Sequence, residues 1–135
     1  MGTSSKGKAW HRVSLRLMGD ELSVGELEDR LQLVPTHVGK KGEHYKNDRS
    51  QCKYETNIWV WRYPSDSNVE LEKQIISLLE VIEPKESVLQ DIISKSGAKA
   101  ELFLGTNLTR NEVSLSDSVL RRIHGLGLSV DVDFY

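Results

Sequence analysis

Three acidic residues, Glu101, Asp131 and Asp133, stand at alternating positions within segments that read as β-strands. If those strands are neighbours the carboxylates share a face, and hard oxygen donors so grouped can hold Mg²⁺ or Ca²⁺. Arg12 and Arg16 alternate along an opening strand in the same way. On the same face they would neutralise the carboxylates first, which disfavours a metal. A second set of ligand types, His37, His44 and Cys52, is spaced by seven and eight residues. Tight zinc sites use closer ligand pairs, so solvated loop histidines are the plainer reading. Cys52 is the sole cysteine, which excludes an intramolecular disulfide and a cysteine-cluster zinc site. As a thiol nucleophile it would need a neighbouring base, and no local signature marks one. No catalytic residue, metal ligand or cofactor is assigned on these patterns.

Phosphate loops fare no better. The stretch GKKGEHYK at 39–46 reverses the order that a strand–loop–helix phosphate cradle requires. In HGLGL at 124–128 the glycines precede a strand, so they terminate a helix instead of opening one.

Residues 56–64, TNIWVWRYP, alternate Trp59, Trp61 and Tyr63 with Ile58, Val60 and Arg62. A strand sends these sets to opposite faces. The reading adopted here packs Ile58 and Val60 against helices. Trp59, Trp61 and Tyr63 then share an open sheet face with Trp10, Arg12, Arg16, Phe103, Asp131, Asp133 and Tyr135. Trp, Tyr and Arg are enriched at binding hot spots, so this face is the first candidate contact surface. On that reading, removing Trp61 and Arg16 leaves the fold intact and weakens a contact. The plainer alternative is an open face with self-complementary charges, or one covered by a second copy. A second candidate surface is the basic loop carrying His37, Lys40, Lys41, His44 and Tyr45. RNA is disfavoured: the segment AELFLG lacks the basic-aromatic pattern of RNA-binding sheets, and the acidic residues repel phosphate.

The elements that must position these residues follow from periodicity. Trp10–Met18 alternates as a half-buried strand. Ser23 and Glu26 have capping-box spacing before Val24, Leu27 and Leu31, and Pro35 closes that short helix. The charged stretch from Thr36 to Glu55 has no apolar pattern. Leu71, Ile75, Leu78, Leu79 and Ile82 mark the clearest amphipathic helix, with Asn68 as its cap and Pro84 as its break. A further helix over 87–96 ends at Gly97. Ala100–Gly105 is a strand, Ser116 caps a last helix, and Leu128–Tyr135 alternates as the final strand. L-S-x-x-x-L occurs at Leu22–Leu27 and again at Leu115–Leu120, each after a strand and a polar turn. The expected fold is therefore α+β: a small mixed, largely antiparallel sheet of four or five strands with helices on one face. Its two related β-α-β halves give it a ferredoxin-like organisation.

Composition sets the outer bounds. With 135 residues, 38% hydrophobic and 28% charged, the chain suits one domain over 10–135, and residues 1–9 read as a disordered lead or cloning remnant. A net charge of −2 gives no general pull toward nucleic acid or anionic membrane. The first residues lack the apolar run of a secretory signal, so a cytoplasmic location is expected.

The order of several short motifs resembles a known family. Leu31, Leu33, Pro35 and Thr36 with downstream Lys41-Gly42, the tryptophan strand, VELEKQIISLLEVIEP and the closing LGLSVDVDFY together resemble the bacterial family catalogued as domain of unknown function 4279. The similarity spans Arg12 to Tyr135 and implies the same α+β fold and a bacterial cytoplasmic protein. It transfers no activity and no catalytic residue. A long charged loop from His37 to Lys53 and the additional Trp61 depart from the pattern. The functional expectation is a non-enzymatic protein-interaction module, of the kind that neutralises a toxin, binding another protein or a second copy of itself. Nucleic acid and membrane are not expected partners. The competing expectation is a small metal-dependent or thiol hydrolase using Asp131, Asp133 and Glu101, or Cys52 with a histidine.

Overall fold

In the alternating segment at the start of the chain, Val13, Leu15 and Leu17 have no exposed surface, while Arg12 and Arg16 reach the opposite face. This is β1 (His11–Gly19), the central strand of a five-stranded sheet in a computed structural model that describes residues 8–45 and 52–135. Most of the expected lead, and the middle of the charged loop, lie outside the described residues. The other strands are β2 (His37–Gly39), β3 (Asn57–Arg62), β4 (Lys99–Thr106) and β5 (Ser129–Phe134), arranged β2-β3-β1-β4-β5. All neighbours are antiparallel except β4 and β5.

Four helices, α1 (Val24–Leu31), α2 (Leu71–Ile82), α3 (Glu86–Ser96) and α4 (Asp117–Gly125), supply the other wall of the core. The fold is α+β with a mixed, largely antiparallel sheet, as its periodicities indicate. The two halves share an order of elements but not of direction. The segment β4-α4-β5 makes a parallel crossover, whereas β3 returns antiparallel to β1 after α1.

In α2 the stripe Leu71, Ile75, Leu78, Leu79 and Ile82 is buried in full, as a 3.6-residue repeat requires. Pro84 has no N–H to continue the ladder, and a 3₁₀ turn at Glu83–Lys85 joins α2 to α3. Gly97 closes α3 with a φ of 67°, a conformation that glycine adopts without steric cost. Ser116 caps α4 by accepting from the Val119 N–H. Two expected caps are not formed. The Ser23 side chain makes no capping bond, its backbone carbonyl receiving the Glu26 N–H instead. Asn68 lies within a turn closed by the Val69 N–H and the Asp66 carbonyl, and α2 begins only at Leu71.

The main correction concerns β3. Trp59 has no exposed surface and Trp61 has 9%, so the indoles face the helices. Tyr63 packs beside them against the core, with its ring 6.0 Å from that of Trp61. Ile58, Val60 and Arg62 therefore occupy the open face. Both faces of this strand are largely apolar, so alternation alone does not choose between them. Burying two indoles removes far more apolar surface from water than burying Ile58 and Val60 does. The pairing of Trp59 with Leu17 and Trp61 with Leu15 fixes the choice.

Candidate functional site

The strand registers place the open-face side chains in rows. Ser14 stands at the centre, opposite Arg62 on one side and Phe103 on the other, with Asp131 beyond Phe103. One row away Arg12 faces Gly105, with Asp133 beyond. On the other side Arg16 lies between Val60 and Glu101, and His37 lies beyond Val60. These rows form the floor and rim of a trough of about 310 Å³, lined by Arg12, Ser14, Arg16, Thr36, His37, Ile58, Val60, Arg62, Phe103, Gly105 and Tyr135. Among the described residues, no aspartate or glutamate lines it.

Aromatic rings stand at both ends. At the β2 edge the Tyr54 ring lies over Gly39, where a Cβ would overlap it, and packs at a tilt with its centre 4.5 Å from that of the Tyr45 ring. The Tyr54 hydroxyl shares a 2.7 Å hydrogen bond with His37 Nε2. Burial, with Tyr45 and Glu43 alongside, holds that hydroxyl above its ordinary pKa of 10.0, so it stays neutral. At the other end the Tyr135 ring lies against Gly105, 3.3 Å from where a Cβ would stand, and 5.3 Å from the Trp10 ring. The Tyr135 N–H donates to the Thr106 carbonyl and fixes that ring's backbone.

The arginines are not equivalent. Arg16 donates to Glu101 and to Asp131 and lies over the Phe103 ring at 4.5 Å. Glu101, only 5% exposed, also meets Lys99 at 3.5 Å. Arg16 therefore serves as the counter-ion of a buried carboxylate. Arg12 rests over Trp10 at 4.9 Å, and Arg62 is exposed; neither pairs with a carboxylate among the described residues. These two guanidiniums present their charge to whatever enters the trough.

Of the residues expected on the sheet face, Arg12, Arg16, Phe103, Asp131 and Asp133 are there, while Trp59, Trp61 and Tyr63 are on the core side. His37, expected in the basic loop, joins the trough through β2. Of the rest of that loop, Tyr45 meets the trough's edge through the Tyr54 ring, while Lys40, Lys41 and His44 do not line it. Lys41 pairs with Asp20 at 3.0 Å, and the Lys40 N–H donates to Glu43. Thr56 and Lys41 hold the Asp20 carboxyl below its usual range. His44 and Lys53 form an isolated antiparallel bridge, and the Tyr45 N–H donates to the carbonyl of the exposed Cys52. Ser14, Thr36, Tyr54, Ile58, Val60, Arg62 and Gly105 were not candidates on sequence. Ile58, Val60 and Arg62 become legible once the tryptophans are assigned inward. The three-residue β2 has no periodicity from which Tyr54 and Thr36 could be placed.

Glu101 and Asp131 converge on Arg16, and the described residues contain no cluster of three or more His, Cys, Asp or Glu side chains fit to hold a metal. No helix of the described residues is long and apolar enough to cross a membrane. Among known families, a family model described as Domain of unknown function (DUF4279) matches residues 8–135. No curated protein and no solved structure matches the chain.

Proposed function

The chain belongs to the DUF4279 family over residues 8–135, and from the geometry of its trough we propose that it is a non-enzymatic protein-interaction module. The observation that carries this reading is an apolar floor of Ile58, Val60 and Phe103 bordered by Arg12, Arg62 and His37, with no acidic residue among the described residues of the lining. A central apolar patch with arginine at its edge has the composition of a binding hot spot. The hydrolase alternative has weaker support. Glu101 and Asp131 are engaged by Arg16, which lowers their value as a base or metal ligands, and Cys52 does not line the trough.

The finer part of the proposal is a bacterial cytoplasmic setting, in which masking a toxin is a role suited to a small face-binding module. Gene neighbourhood tests that part. The partner is another protein or a second copy of the chain. Affinity capture with wild-type and Arg12→Glu/Arg62→Glu baits, beside light scattering, tests the reading directly. A partner, or a dimer, lost only with the double variant supports it. A monomer that captures nothing, or a partner held equally by both baits, overturns it.

A further inference from the structure

The trough is more specific than a generic contact surface. Arg12, Arg62 and His37 occupy three successive levels along the strands, since Arg62 is level with Ser14 and His37 is level with Val60 and Arg16. Successive levels are two residues apart, about 6.7 Å along a strand. An extended peptide repeats its side chains on one face at this same interval. Beside Arg12 and Arg62 the floor is aliphatic and aromatic, and among the described residues no carboxylate lines the trough.

We propose, resting on the interaction reading above, that the partner presents an extended acidic segment. Two of its carboxylates, two residues apart, meet Arg12 and Arg62, and an apolar side chain two residues further along settles on Val60. Charge complementarity selects this occupant. Arg12 and Arg62 have no carboxylate partner among the described residues, whereas Arg16, the third arginine, is already neutralised. A single-stranded nucleic acid would match the cations less well. Its bases need open aromatic faces, but the Arg16 guanidinium covers the face of Phe103, the central ring.

The probe is the unlabelled capped peptide acetyl-Ser-Glu-Ser-Glu-Ser-Leu-Ser-amide, titrated into the intact protein by calorimetry. Binding in the micromolar range is expected, weakening with added salt because the pairs are exposed. Replacing both glutamates by glutamine, or the leucine by serine, should weaken it at least tenfold. Arg12→Glu/Arg62→Glu should abolish it with an unchanged melting curve, while Arg121→Glu on α4 should bind as wild type. No heat at millimolar peptide, equal binding of the glutamine analogue, or tighter binding of oligouridylate would overturn the proposal. If the peptide fails while capture still yields a partner lost with Arg12→Glu/Arg62→Glu, the interaction reading stands and the acidic-segment inference alone falls.

Discussion

Trp59 stands opposite Leu17 across the β1–β3 ladder, and neither side chain has any exposed surface. This pair sets the phase of β3 and so decides which residues face solvent. Trp59→Ala should cost about 3–5 kcal/mol, the transfer free energy of the ring plus the cavity it leaves. Trp59 Nε1 is buried without a hydrogen-bond partner among the described residues, so Trp59→Phe removes an unsatisfied donor as well as volume. Its cost in urea unfolding should be well below that of the alanine variant. Equal losses would show that the indole nitrogen is satisfied in solution.

The same pair explains what the sequence could and could not reveal. In β1, β4 and β5 one face carries Arg, Glu or Asp, so the apolar face identifies itself. In β3 only Arg62 is charged, and Ile58 and Val60 compete with two tryptophans for the core. The amphipathic stripe of α2 was legible because five apolar residues repeat on one face. The caps at Ser23 and Asn68 failed because spacing does not establish that a side chain turns toward the backbone. The trough itself was half legible: Arg12, Arg16 and Phe103 lie on strands with a clear phase, whereas His37 arrives through a strand too short to show one.

Arg16 is structural before it is functional. Arg16→Met would leave Glu101 buried with only Lys99 nearby and should cost about 2 kcal/mol, less than for a fully enclosed pair because Arg16 is partly exposed. Adding Glu101→Gln should recover most of that loss in a double-mutant cycle. Independent, additive losses would contradict the pairing. The expectation that Trp61 and Arg16 can be removed with the fold intact is thereby reversed, because one belongs to the core and the other to this network.

Arg62→Glu should behave differently. The side chain is exposed and lacks an ionic partner among the described residues, so the change in stability should stay within about 0.5 kcal/mol. A melting temperature clearly below wild type would mean that Arg62 carries a structural role.

His11 introduces a pH dependence. Burial holds its pKa below the ordinary 6.5, although nearby Glu70 opposes the shift, and Nδ1 bonds Thr106 Oγ1 at 2.9 Å. Its folded pKa lies below its unfolded pKa, so the unfolded chain binds the extra proton first. Stability should therefore be complete above the unfolded value. It should fall as pH drops through 6.5 and level off once pH is below the folded value. Urea midpoints measured from pH 8 to 5 should show this slope, and His11→Gln should flatten it. A midpoint that rises on acidification over that range would have the wrong sign.

Amide chemical shifts of the labelled protein, followed while the glutamate–leucine peptide is added, test the location of the contact surface most directly. The account predicts that the largest changes gather on Arg12, Ser14, Val60, Arg62 and Phe103 and saturate together. Changes centred instead on the α1–α3 surface around Arg30 and Lys95, or none at millimolar peptide, would contradict it.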